Sequence, residues 1–279
     1  MKLFVDNLTN VDFSYLCPKR GLLGESWLVQ LELDGSLNDQ GMICDFAIVK
    51  KEVKKWFDLW VDHALVVPTD MPRLSCQTDD GYTTVEWLYE EGETFFCRSP
   101  KEAICLVELP EINENSLATW CKDKLLQLFP SEVQGLNIRF VPEKIEGAFY
   151  HYSHGLQKHD GNCQRIAHGH RSKIELYIND QRDNALEIEW AKRFNDIYIG
   201  SESHLISKND QMHQYSYQAP QGEFSISLPS RVCYLINTDT TVELIAAHLA
   251  EEIKRSYPND RVMVKAYEGV GKGAIVELV

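Results

Sequence analysis

The sequence predicts an α+β protein built from two related modules, each an antiparallel four-stranded sheet with helices on one face. Three observations carry this expectation. First, the chain repeats itself: GETFFCRSPKEAICLVELPEINENSLATWCKDKLLQLFP (residues 92–130) lies over GEFSISLPSRVCYLINTDTTVELIAAHLAEEIKRSYP (222–258). Cys105 then pairs with Cys233, Ala118 with Ala246 and Pro130 with Pro258 at one constant offset. Second, a glycine in each half opens a run of alternating apolar and polar residues, GESWLVQLELD (24–34) and GHRSKIELYIND (169–180), which is the period of a half-buried strand. Third, Phe46, Val49, Val53, Trp56, Phe57 and Trp60 recur at helical spacing behind a capping Asp45.

These signals order the elements. Each module starts with two strands, near 2–15 and 26–34 in the first and 148–155 and 171–178 in the second. A helix over 45–61 follows in module one, and LEIEWAKRFNDIY is its less regular counterpart in module two. A second helix puts Leu117, Trp120, Cys121, Leu125 and Leu128 on one face and stops at Pro130, because proline lacks the amide that would continue it. Its counterpart is 241–256. Two closing strands end each module, LNIRFVPE (136–143) and RVMVKAYE (261–268) among them. The boundary falls at KIEGAF, giving modules of 1–146 and 147–279, and the segment 206–221 reads as a polar loop.

Composition narrows the function classes. The 279 residues include 42 acidic and 28 basic side chains, a net charge of −14, which disfavours nucleic acid and anionic membrane as partners. An anionic small molecule would need a local basic pocket. No apolar run reaches the ~18–20 residues of a membrane helix, and MKLFVDNLTNVDFSYL is too polar for a secretion signal. Eight scattered cysteines without a CxxC pair read as reduced thiols of a cytoplasmic protein.

Chemistry concentrates in FYHYSHGLQKHDGNCQRIAHGH (149–170). His154 ends one strand, while His168 and His170 begin the next and share a face because they are two apart. If the strands are antiparallel neighbours, three neutral imidazoles converge, which suits a zinc ion with an open fourth position. An HxH pair in solvent is the competing reading. Cys163 is a candidate nucleophile or base, since a nearby cation favours its thiolate; a buried, inert thiol is its alternative.

The pattern Cys163-x4-His168-Gly169-His170, preceded by His154-Gly155-Leu156, resembles the 6-pyruvoyl- and 6-carboxytetrahydropterin synthase family. GMICDFAIVKKEV with VDHALV (41–66) is similar to that family's first helix and its Asp-His element, here Asp62-His63. NTDTTVELIAAHL is similar to the start of its second helix, and VKAYEG to the strand that ends in its pterin-anchoring glutamate, here Glu268. The resemblance implies tandem tunnelling-fold (ββααββ) units whose sheets join into an oligomeric barrel, with active sites between units. It implies a zinc-dependent lyase acting on 7,8-dihydroneopterin triphosphate. His154, His168 and His170 would hold Zn2+, Cys163 and Asp62-His63 would move protons, Glu268 would hold the pterin, and Thr240 and Thr241 would bond its edge. Product type stays open between 6-carboxy, as in queuosine biosynthesis, 6-pyruvoyl, and a related side-chain cleavage. A non-catalytic pterin- or purine-binding paralogue and an unrelated zinc hydrolase are the alternatives.

The two modules depart from that pattern in opposite ways. Tyr15, Leu23 and Glu25 stand at the metal positions of module one, which retains Asp62-His63. Module two keeps the histidines, Cys163 and Glu268, but its Asp-His counterpart is read as Ser203-His204. A composite site is therefore expected, with Asp62-His63 lent across an interface and His204 the substitute if it is not. Modules alternating round one barrel would need two chains; separate rings of like modules would need three, with module two using its own His204.

Overall fold

A computed structural model describes residues 1–89 and 92–279. In the first half, β1 (Lys2–Cys17) and β2 (Gly21–Gly35) form a long hairpin. Then come α1 (Phe46–Trp60), β3 (Leu65–Pro68), β4 (Leu74–Asp79), β5 (Tyr82–Leu88), β6 (Thr94–Pro100), β7 (Ile104–Val107), α2 (Glu114–Leu126) and β8 (Val133–Pro142). The second half contains β9 (Phe149–His154), β10 (His168–Ile178), the short β11 (Gln181–Arg182), α3 (Asn184–Arg193), β12 (Ile197–Ser201) and β13 (Leu205–Lys208). It continues through β14 (Met212–Ala219), β15 (Gly222–Pro229), β16 (Cys233–Ile236), α4 (Val242–Ser256), β17 (Val262–Tyr267) and β18 (Gly273–Leu278).

The described residues form three sheets, and two share one strand order: β7-β3-β1-β2-β8 and β16-β12-β9-β10-β17, with β18 added at the end of the second. The expected four-stranded antiparallel sheets are thus replaced by larger mixed ones, because β3 and β7, like β12 and β16, run parallel to their neighbours. Only one strand, β8, closes the first half. The third sheet, β13-β14-β15-β6-β5-β4, is shared: β15 pairs β6 across the halves. It contains the stretch read as a polar loop. Along β14 the side chains of His213, Tyr215, Tyr217 and Ala219 are buried at every second position, so polar residues between them hide a strand.

Each helix pair covers one sheet. Asp45 caps α1 by accepting from the Ala47 amide at 2.6 Å, and Val49, Val53, Trp56 and Phe57 face the core with Val29, Leu31, Leu117 and Phe140. Phe46 and Trp60, expected on that face, are about half exposed. Ile245, Leu249 and Ile253 of α4 pack with Ile174 and Val264 on the second sheet. Among the described residues no helix is long and apolar enough to cross a membrane.

The two hairpins meet back to back. Ser14 and Ser153 exchange a hydrogen bond at 2.7 Å, and a Cβ at Gly24 would collide with the Tyr152 carbonyl, so this crossing requires glycine. Strand register fixes which positions correspond. Tyr15 pairs Leu23 and Phe13 pairs Glu25, as His154 pairs His168 and Tyr152 pairs His170. Ile104 faces Leu65 where Cys233 faces Tyr198, so Ile104, not Cys105, is the counterpart of Cys233. The helices keep the original offset, with Asn113 and Thr241 as their N-caps.

Candidate metal and acid-base site

Antiparallel pairing of β9 with β10 brings His154 opposite His168, with His170 two residues further along the same face. All three rings are buried, with centroids 4.4–5.6 Å apart. Two of the rings are held by their Nδ1 edges. His154 Nδ1 donates to the Thr240 carbonyl at 2.8 Å, and His168 Nδ1 donates to the Arg165 carbonyl at 2.8 Å. His170 Nδ1 makes no hydrogen bond among the described residues, and Asp12 Oδ1 lies 3.3 Å from it, within ion-pair reach.

The donor set fits a zinc ion. Two neutral nitrogens at about 2.0–2.1 Å from a tetrahedral ion sit about 3.3 Å apart, and His154 Nε2 and His170 Nε2 are 3.2 Å apart. One ligand atom from each of the three histidines lies within 4.8 Å of the other two. Burial, followed by the neighbouring imidazoles, holds His154 and His168 well below the usual histidine range. They are therefore neutral, as metal ligands must be.

The other half brings Asp62 and His63 to the same cluster within one chain. His63 Nδ1 donates to Asp62 Oδ2 at 2.6 Å, and the His63 ring centroid is 5.1 Å from that of His168. His63, Cys163 and His168 each bring a potential ligand atom into one group within 4.8 Å. Burial opposes protonation of His63, but its hydrogen bonds to Asp62 and Cys163 reverse that and raise its pKa to about 10. His63 adopts a left-handed conformation, φ 56°, with its amide donating to the Asp12 carbonyl at 2.6 Å. Cys163 is half-buried in the short turn before β10. Glu268, just past β17, brings Oε1 to 4.0 Å from His170 Nε2. Asp62 and His63 thus reach the histidines without modules alternating round a ring, which removes the premise that separate rings would force the use of His204.

Other expected residues are placed elsewhere. The strand register makes Asn195-Asp196, not Ser203-His204, the counterpart of Asp62-His63. Asp196 shares the left-handed φ, 61°, and its amide donates to the His151 carbonyl at 2.8 Å. His204 bonds Gln157 at 2.9 Å, stacks on Tyr217, and lines a separate small cavity with Leu156 and Asp239. Thr240 holds His154 through its carbonyl and donates its hydroxyl to the Gly155 carbonyl, while the Thr241 hydroxyl accepts from the Leu244 amide as the N-cap of α4. Sequence reading missed Asp12, although VDFSY places it three residues before the counterpart of His154.

Comparison with known proteins finds relatives over about half of the chain. A protein of Pyrococcus horikoshii described as a candidate 6-carboxy-5,6,7,8-tetrahydropterin synthase is 21% identical over 136 residues, covering 46% of this chain and 73% of that protein. A Pyrococcus abyssi protein of the same description is 22% identical over 129 residues, with the same coverage. The crystal structure of 6-pyruvoyl tetrahydropterin synthase from Plasmodium vivax is 17% identical and aligns with a TM-score of 0.43, over 52% of this chain and 93% of that one. Residues 145–278 of this chain match the family model described as 6-pyruvoyl tetrahydropterin synthase.

Proposed function

We propose that this chain is a zinc-dependent lyase acting on 7,8-dihydroneopterin triphosphate, in the manner of 6-carboxy- or 6-pyruvoyl-tetrahydropterin synthases. The observation that carries the reading is the convergence of His154, His168 and His170 beside Cys163 and the Asp62-His63 pair. A bound zinc would supply Lewis-acid polarisation of the substrate's side-chain oxygens. Glu268 presents a carboxylate to the adjacent N–H donors of a pterin, a charge-assisted match. Asp62 accepts from His63 Nδ1 and favours the protonated ring, whose Nε2–H is then placed to give a proton. Cys163, on the same side of the histidine cluster as His63, is the second group placed to move one.

The shared strand order and the matched Ser14 and Ser153 support reading residues 1–146 and 147–279 as a duplicated unit. The first copy has given up its metal ligands, and Pro142 stands where the register would put Glu268. Strands β7 and β8 at the ends of one sheet, and β16 and β18 at the ends of another, fit association with further copies through sheet edges.

The test is incubation of zinc-loaded protein with 7,8-dihydroneopterin triphosphate. Release of triphosphate with acetaldehyde identifies the 6-carboxy product, and triphosphate without acetaldehyde the 6-pyruvoyl product. Tight pterin binding without turnover would replace the lyase with a pterin-binding protein; no binding at all would overturn the reading.

A further inference from the structure

One buried residue of the first half reaches both the histidine cluster and the Asp62-His63 pair. Asp12, 3% exposed on β1, directs Oδ1 to His170 Nδ1 at 3.3 Å and accepts a short hydrogen bond from the Ser26 hydroxyl on the same oxygen. Its other oxygen lies 3.3 Å from Lys272 Nζ. Its main chain does separate work: the Asp12 amide donates to Asp62 Oδ1 at 2.9 Å, and its carbonyl accepts from the His63 amide. Gly269, φ 69°, packs so closely on this carboxylate that a Cβ there would strike Oδ1.

The corresponding position in the other half separates the two roles. His151 keeps the main-chain bond, accepting from the Asp196 amide, but its side chain donates to the Gly24 carbonyl. The main-chain contact is common to both halves. At this strand position a carboxylate stands only on the side facing the three histidines; its counterpart, His151, is an imidazole.

We propose that Asp12 is a positioning residue for a divalent metal ion in the second half. Its carboxylate orients His170 and makes that ring a better donor, while its main chain sets Asp62-His63 at the same cluster. A metal-ligating histidine ordinarily gives its second nitrogen to a carboxylate or carbonyl, and losing that partner costs about 10–100-fold in metal affinity. His154 and His168 use main-chain carbonyls for this; His170 uses Asp12, carried in from the first half. The inference rests on the metal reading above.

The experiment is titration of the full chain with zinc and cobalt(II) against a chelator of known affinity, on the wild type, Asp12→Asn and Ser26→Ala, with far-ultraviolet circular dichroism as the folding check. Asp12→Asn is expected to bind about 10–100-fold more weakly and to shift the cobalt d–d bands. Ser26→Ala, which leaves the carboxylate in place but frees it to turn, is expected to weaken binding less and serves if Asp12→Asn does not fold. A wild type that binds, with both variants within about twofold of it, overturns the inference alone, since a second-sphere contact is worth more than that. A wild type that takes up no ion overturns the metal reading and the inference together.

Discussion

The two ends of the hairpin stack start from one backbone plan and carry opposite chemistry. In the second half, His154, His168 and His170 face Asp12 and His63. At the corresponding positions of the first half stand Tyr15, Leu23 and Glu25, facing His151 and Asp196. Imidazole against carboxylate has become carboxylate against imidazole, with Glu25 Oε2 3.7 Å from His151 Nδ1. Burial raises Glu25 to about 7 and lowers His151 to about 4, so each drifts towards its neutral form. Where His63 meets Cys163, Asp196 instead forms a two-pronged ion pair with Arg20. A leucine and a tyrosine cannot complete a nitrogen donor set, so this end reads as structural. The difference shows what a metal site on this fold would need: a full set of nitrogen donors and partners on their outer nitrogens.

The largest expected effect tests the acid-base pair lent by the first half. Asp62→Asn with His63→Ala should cut turnover by about 10²–10⁴-fold, the usual worth of a general acid-base group, while metal content stays at the wild-type level. Unchanged turnover in that double variant would show that the second half works alone. Glu25→Gln probes the opposite end through pH. Because the folded-state pKa of Glu25 is raised, the cost of ionising it is absent below about 4.5 and complete above about 7. The variant should therefore match the wild type at pH 4.5 and gain up to roughly 3 kcal/mol at pH 8. Equal denaturant midpoints at both pH values would remove the picture of a carboxylate whose burial outweighs its hydrogen bond from the Ser26 amide. The smallest effect is expected at His204, whose contacts are with Gln157 and Tyr217. His204→Ala should change kcat/KM by less than about threefold, well short of a catalytic acid-base loss; a drop beyond tenfold would return it to the reaction.

Much of this comparison was legible before any coordinates. The HGH pair and the third histidine at a facing strand end follow from strand alternation, which ties residue spacing to a face, while the departures at Tyr15, Leu23 and Glu25 are what the family resemblance implies. The helices followed from their caps and apolar spacing. Legibility failed where partners lie far apart in sequence. Asp196 was missed as the counterpart of His63 because a histidine two turns of chain later offered a closer letter match. The strand over 212–219 was missed because its outward side is polar. Asp12 gave no signal, since nothing in VDFSY says what faces it.

The sequence by itself determined that three imidazoles share one side of one hairpin and that the other hairpin lacks them, because local periodicity suffices for both. Only the tertiary structure decided that Asp12, Asp62 and His63 meet those rings. That meeting depends on two hairpins crossing at Gly24 and Ser14-Ser153, a long-range packing of backbone against backbone that leaves no periodic trace in the chain.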